Sequence, residues 1–132
     1  MPIILERDIS RRRLLARVSG VLTIADALAF LRTARANPDI AAWPLIVDAR
    51  GATSTLTPDE VESAVEAAKE IRRTNIIPGA HVALVADDDR LFDRFCHYEV
   101  RLFESGIRVV RVFRDCIEAE RWLEVMHATR YF

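Results

Sequence analysis

Residues 109–123, VVRVFRDCIEAERWL, constrain the fold more than any other stretch. A β-branched run comes first. Asp115 follows, with Glu118 three positions on, the spacing at which two side chains satisfy free N–H groups at a helix start. Ala119, Trp122, Leu123 and Met126 then recur at helical spacing and predict one buried stripe. This strand-then-helix unit also occurs upstream. Residues 44–49 (PLIVDA), apolar on both faces until Asp48, and 80–86 (AHVALVA) read as buried strands in the middle of a sheet. Each feeds a helix. Thr57-Pro58-Asp59-Glu60 gives the first a hydroxyl cap, a first-turn proline and a glutamate three residues after the cap. Val61, Ala64, Val65, Ala68 and Ile71 form its apolar stripe. The run Asp87-Asp88-Asp89 ends the other strand, and Asp89 is the expected cap of a helix over 90–104, stopped by Ser105-Gly106.

The N-terminal part completes the pattern. Residues 3–6 and 12–18 read as two strands joined around Asp8-Ile9-Ser10. In the second, Leu14, Ala16 and Val18 alternate with Arg13, Leu15 and Arg17. Thr23 with Asp26 is a variant capping box for a helix that Asn37-Pro38 ends. The order is β-β-α-β-α-β-α-β-α. It predicts a single α/β domain with a five-stranded mixed, mostly parallel sheet, four helices and one antiparallel edge strand. If each crossover adds its strand beside the last, all helices fall on one face and the other face lacks a helical cover.

Composition narrows the function classes. The 132 residues suit one core, and 51% hydrophobic with 30% charged residues describes a globular chain. A net charge of −1 gives no overall field to recruit nucleic acid or an anionic membrane. No apolar run approaches the roughly 20 residues that span a bilayer. The opening MPIILERD is acidic where a signal peptide would be basic, so a cytoplasmic location is expected. Cys96 and Cys116 lack the spacing of a metal or redox pair and read as buried reduced thiols. The run Arg11-Arg12-Arg13 reads as a solvated turn that guards an edge strand, with no aromatics interleaved to stack bases.

Four segments, RVSGVLT, LIVDARG, AHVALVADDDRLFDRF and VRVFRDCIEAERWL, in this order and spacing, resemble the SpoIIAA-like family of the STAS superfamily, often labelled STAS/SEC14 domain-containing. The resemblance covers nearly the whole chain. It implies a βα superhelix with sequential strand order in a small bacterial cytoplasmic protein. It also implies a regulatory or binding role rather than an enzymatic one. Anti-sigma antagonists of the superfamily carry a phosphorylatable Ser or Thr in a DSSG-like motif, and this chain has no such motif. Ser54, in the polar loop 51–56, is the candidate substitute, beside Thr53, Thr55 and Thr57, although Thr57 reads more simply as an N-cap.

The expected working surface is therefore the loop edge of residues 48–57 and 87–93. Asp48, Arg50, Ser54, Thr55, Thr57, Asp87, Asp88 and Arg90 are its candidate binding residues. That edge is where open α/β sheets bind ligands. The expected partner is another protein, a second copy of the chain, or a small apolar or anionic ligand, with no nucleic acid, membrane insertion, cofactor or metal. One alternative is a Mg²⁺-dependent phosphoacceptor using Asp48 and Asp87, with Asp87 otherwise a solvated turn residue. The other is a carrier of a small apolar ligand or lipid, its wall formed by Phe92, Phe95, Tyr98 and Phe103 with Phe30 and Trp43. No nucleophile elbow or glycine-rich phosphate loop is present.

Overall fold

The computed structural model describes residues 3–34, 42–74 and 80–129. The expected helix end at Asn37-Pro38 and turn at Pro78-Gly79 lie outside the described residues. Strands β1 (Ile3–Asp8) and β2 (Arg13–Val18) form an antiparallel hairpin. The carboxylate of Asp8 organises its turn, accepting from the Ser10 hydroxyl at 2.8 Å and the Arg11 N–H at 3.1 Å. Next come β3 (Val21–Leu22), α1 (Ile24–Ala34), β4 (Leu45–Asp48), β5 (Thr53–Ser54) and α2 (Pro58–Thr74). The chain continues through β6 (Val82–Val85), α3 (Asp89–Glu104), β7 (Val110–Phe113) and α4 (Cys116–Thr129).

The main sheet has five strands in the order β1-β2-β4-β6-β7, and every pair after the hairpin is parallel. The mixed α/β sheet and four helices thus match the expectation. Every residue of β4 and β6 is buried, which explains why both are apolar on both faces up to Asp48 at the end of β4. The short strands β3 and β5 were not foreseen. They pair parallel with each other in a second, two-stranded sheet, β5 within what had read as a polar loop.

Side chains alternate between two cores. Leu14, Ala16, Leu45, Val47, Val82 and Leu84 point to the face where Val61 of α2 and Leu91 and Phe95 of α3 pack. Ile46, Ala83, Val85 and Phe113 point to the other, against Ala119 and Leu123 of α4. The expectation that all helices share one face is therefore corrected. α4 follows β7 and leads to no further strand among the described residues, so the crossover rule does not bind it. The apolar row on the second face gives it a place to bury its own stripe. α4 leaves part of that face uncovered, where Ile4 of β1 is 60% exposed. Among the described residues no helix is long and apolar enough to cross a membrane.

Candidate functional site

β4, β6 and β7 end at one edge of the sheet, and the connections that follow them build a cluster there. Asp48 closes β4. Arg50 folds back on it, with Nε donating to Oδ1 and Nη2 to Oδ2, both at 2.9 Å, a bidentate pairing. The Asp48 side chain is 10% exposed and that of Arg50 50%. The hydrogen bond from the guanidinium holds the Asp48 carboxyl below its usual range, and the carboxylate in turn raises the pKa of Arg50. Gly51 follows with φ +82°, a conformation that a side chain would strain. Its N–H donates to Oδ1 of Asp87, after β6, at 2.8 Å. Asp48, Arg50 and Asp87 thus meet, although 36 positions separate Gly51 from Asp87. Cys116 opens α4 beside the pair. Burial, with the nearby Asp48 charge, pushes its thiol up to about 11.

The remaining candidates do other things. Asp88, not Asp89, is the cap of α3. Its backbone is extended (φ −72°, ψ 127°) and its carboxylate accepts the Leu91 N–H at 2.9 Å. Asp89 lies one residue inside the helix and pairs with Arg114 at 2.9 Å. Arg114 also donates to the Asp87 carbonyl at 3.1 Å and lies 3.8 Å over the Phe92 ring. Arg90 is exposed. Thr57 is the cap of α2 in a reciprocal capping box: its N–H donates to Glu60 Oε1 at 2.9 Å, and its Oγ1 accepts the Glu60 N–H at 3.2 Å.

Ser54 is not the accessible loop hydroxyl that the phosphorylation reading needs. It is 7% exposed in β5, and its Oγ accepts the Leu56 N–H at 2.9 Å. Thr55 is exposed beside it, with its N–H directed to the Leu22 carbonyl at 3.4 Å. Asp87 is likewise no merely solvated turn residue, since it carries the Gly51 N–H. For Mg²⁺, both Asp48 oxygens already serve Arg50. Among the described residues no group of three or more His, Cys, Asp or Glu side chains is placed to hold a metal.

The second feature is a cavity of about 180 Å³ between the sheet and α1–α3. Leu45, Val47, Val82 and Leu84 form its floor, and Phe30, Phe95 and Tyr98 part of its helical wall. Ala27, Ala64 and Ala68 also line it, small side chains at positions where longer ones would fill the space. Leu22 and Leu56, at the ends of the β3–β5 ribbon, contribute as well. Three of the expected aromatics therefore line this space. Phe92 and Trp43 pack against the same core. Phe103 does not belong: it is 56% exposed, with the Arg108 guanidinium 4.7 Å over its ring.

Comparison with protein-family models, curated proteins and solved structures gives no match.

Three placements escaped the sequence reading. Arg94 lines the cavity, Arg114 ties the β7–α4 turn to the acidic run, and Cys116 sits against Asp48. Only Arg94 left a legible signal, since it falls on the same helical face as Leu91, Phe95, Tyr98 and Leu102. The other two depend on which strands lie side by side.

Proposed function

We propose that this chain is a non-enzymatic binding module of the STAS/SpoIIAA-like type, whose ligand is a small apolar molecule held between the sheet and α1–α3. The cavity carries this reading. Protein interiors are close-packed, and a void of about 150 Å³ with apolar walls stays dry and takes up benzene or xenon. A space of about 180 Å³ walled by Phe30, Leu45, Leu84 and Phe95 has similarly apolar walls and a comparable volume, and is partly open to solvent. It fits a single ring with a short substituent, on the order of six to ten heavy atoms, and not a long lipid chain. The sequential strand order with one antiparallel pair supports the resemblance.

The test is titration of the full chain with toluene, followed by calorimetry or thermal melting. Binding is expected, with a higher melting temperature at saturation, because a ligand that binds only the folded state stabilises it. Ala64→Leu, which fills the space, should abolish it. Equal uptake by both proteins would place the toluene elsewhere and refute the reading.

A specific observation also favours the loop edge as a contact surface. α3 and α4 leave the neighbouring strands β6 and β7 toward opposite faces, the arrangement that opens a crevice at strand ends. Arg50 and Arg114 lie at that edge with their guanidinium groups about half exposed. An anionic ligand or an acidic partner segment would suit it. Titration with inorganic phosphate should show binding that Arg114→Gln weakens, and no binding would end the anion form of this reading.

A further inference from the structure

The cavity wall is apolar except at Arg72, Arg94 and Tyr98, and Arg94 is a partly buried cation with no counter-ion among the described residues. Arg94 projects from the second turn of α3 and lines the cavity. Its Nε donates to the Leu56 carbonyl at 2.8 Å. Among the described residues that is its one side-chain hydrogen bond, and no carboxylate lies within ion-pair distance of it. Four other guanidinium groups of the fold are matched: Arg13 with Glu120, Arg50 with Asp48, Arg101 with Glu62 and Arg114 with Asp89. Arg72, at the rim of the same cavity, also has no ion pair among the described residues, but it is exposed to water, whereas Arg94 is partly buried. A partly buried cation against an apolar wall loses hydration and has nothing charged to replace it.

Resting on the reading of the cavity as a ligand site, we infer that the ligand is a small monocarboxylic acid. Its carboxylate pairs with Arg94 and its apolar body occupies the space bounded by Leu45, Val82 and Phe95. A guanidinium matches a carboxylate with two parallel hydrogen bonds and stays charged at any working pH. The Leu56 carbonyl fixes the inner nitrogen of Arg94, so the group is oriented before the ligand arrives. Tyr98 lies one turn further along α3 on the same face and lines the cavity too. The volume limits the body to a ring or a short branched chain. An arylacetic acid is of the right class.

Three probes separate the charge from the cavity, the isosteric pair phenylacetate and phenylacetamide and the bare apolar body toluene, titrated into the full chain near neutral pH. The wild-type protein should bind phenylacetate about tenfold or more tightly than the amide, the scale of one hydrogen-bonded charge. Arg94→Gln should remove that preference and still take up toluene, and Arg94→Lys should restore part of it. If Arg94→Gln does not fold, the wild-type preference and its reduction in Arg94→Lys decide. Equal binding of acid and amide by the wild type would overturn the carboxylate and leave the apolar cavity standing. Failure of all three probes to bind would overturn both.

Discussion

Asp48 shows how one side chain sets the properties of its neighbours. Arg50 holds its carboxyl low, so the unfolded chain takes up the proton more readily than the folded one. The stabilisation from the pair is complete above the unfolded carboxyl's pKa of about 3.9 and is lost as the pH falls through the lower folded value. Asp48→Asn should therefore cost stability at neutral pH, by about 1–3 kcal/mol, and the gap to wild type should close in acid. Urea melts at pH 7 and pH 3 measure it. The same substitution removes a negative charge and an acceptor beside Cys116, both of which raise that thiol. Its alkylation rate should then rise at lower pH than in the wild-type protein. At this scale the sequence was legible where the partner was local. Asp48 with Arg50, and Thr57 with Glu60, could be read from spacing. Ser54 was misread because the loop was taken as uniformly polar. Yet Ala52, Ser54 and Leu56 are buried while Thr53 and Thr55 are exposed, a period of two that marks an extended segment.

Helix ends and helix faces were the most legible parts of the chain, because they rest on short-range stereochemistry. The cap and the stop of α3 show both the strength and the limit. Gly106, at φ +86°, ends the helix with the Gly106 N–H on the Phe103 carbonyl at 3.0 Å and the Ile107 N–H on the Leu102 carbonyl at 2.9 Å. That stop was visible in Ser105-Gly106. Three consecutive aspartates left the cap itself ambiguous by one residue. Thr57→Ala, which breaks the capping box of α2, should lower stability by about 1 kcal/mol in chemical denaturation. The side of the sheet on which α4 lies was not legible, since its stripe fits either face. Its docking rests on Ala119 and Leu123 against Ile46, Val85 and Phe113. Leu123→Ala should cost about 2–5 kcal/mol if that face is its core. A loss below 1 kcal/mol would mean that α4 is not held there.

For the molecule as a whole, the mixed, mostly parallel sheet followed from the alternation of strands and helices, whereas the cavity did not. Periodicity marks a position as inward but does not sum the volumes that meet there. Ala27, Ala64 and Ala68 come from two helices, and only their assembly over Leu45, Val47 and Leu84 leaves space. Arg94 acquires its meaning from the same assembly. On an isolated amphipathic helix it is one more arginine at the border of the apolar face. Only the fold shows that it lines a space, with Leu56 as its hydrogen-bond partner. The β3–β5 ribbon belongs to this scale too, for its two short strands place Leu22 and Leu56 in the wall.

The central claim is that this space is real, dry and able to hold a guest. Diffraction from crystals pressurised with xenon tests it most directly, because xenon enters apolar cavities of this size and scatters strongly. The expected result is one strong peak among Phe30, Leu45, Leu84 and Phe95, absent in Ala64→Leu. Side chains closing over that position, with no xenon bound there, would contradict the account.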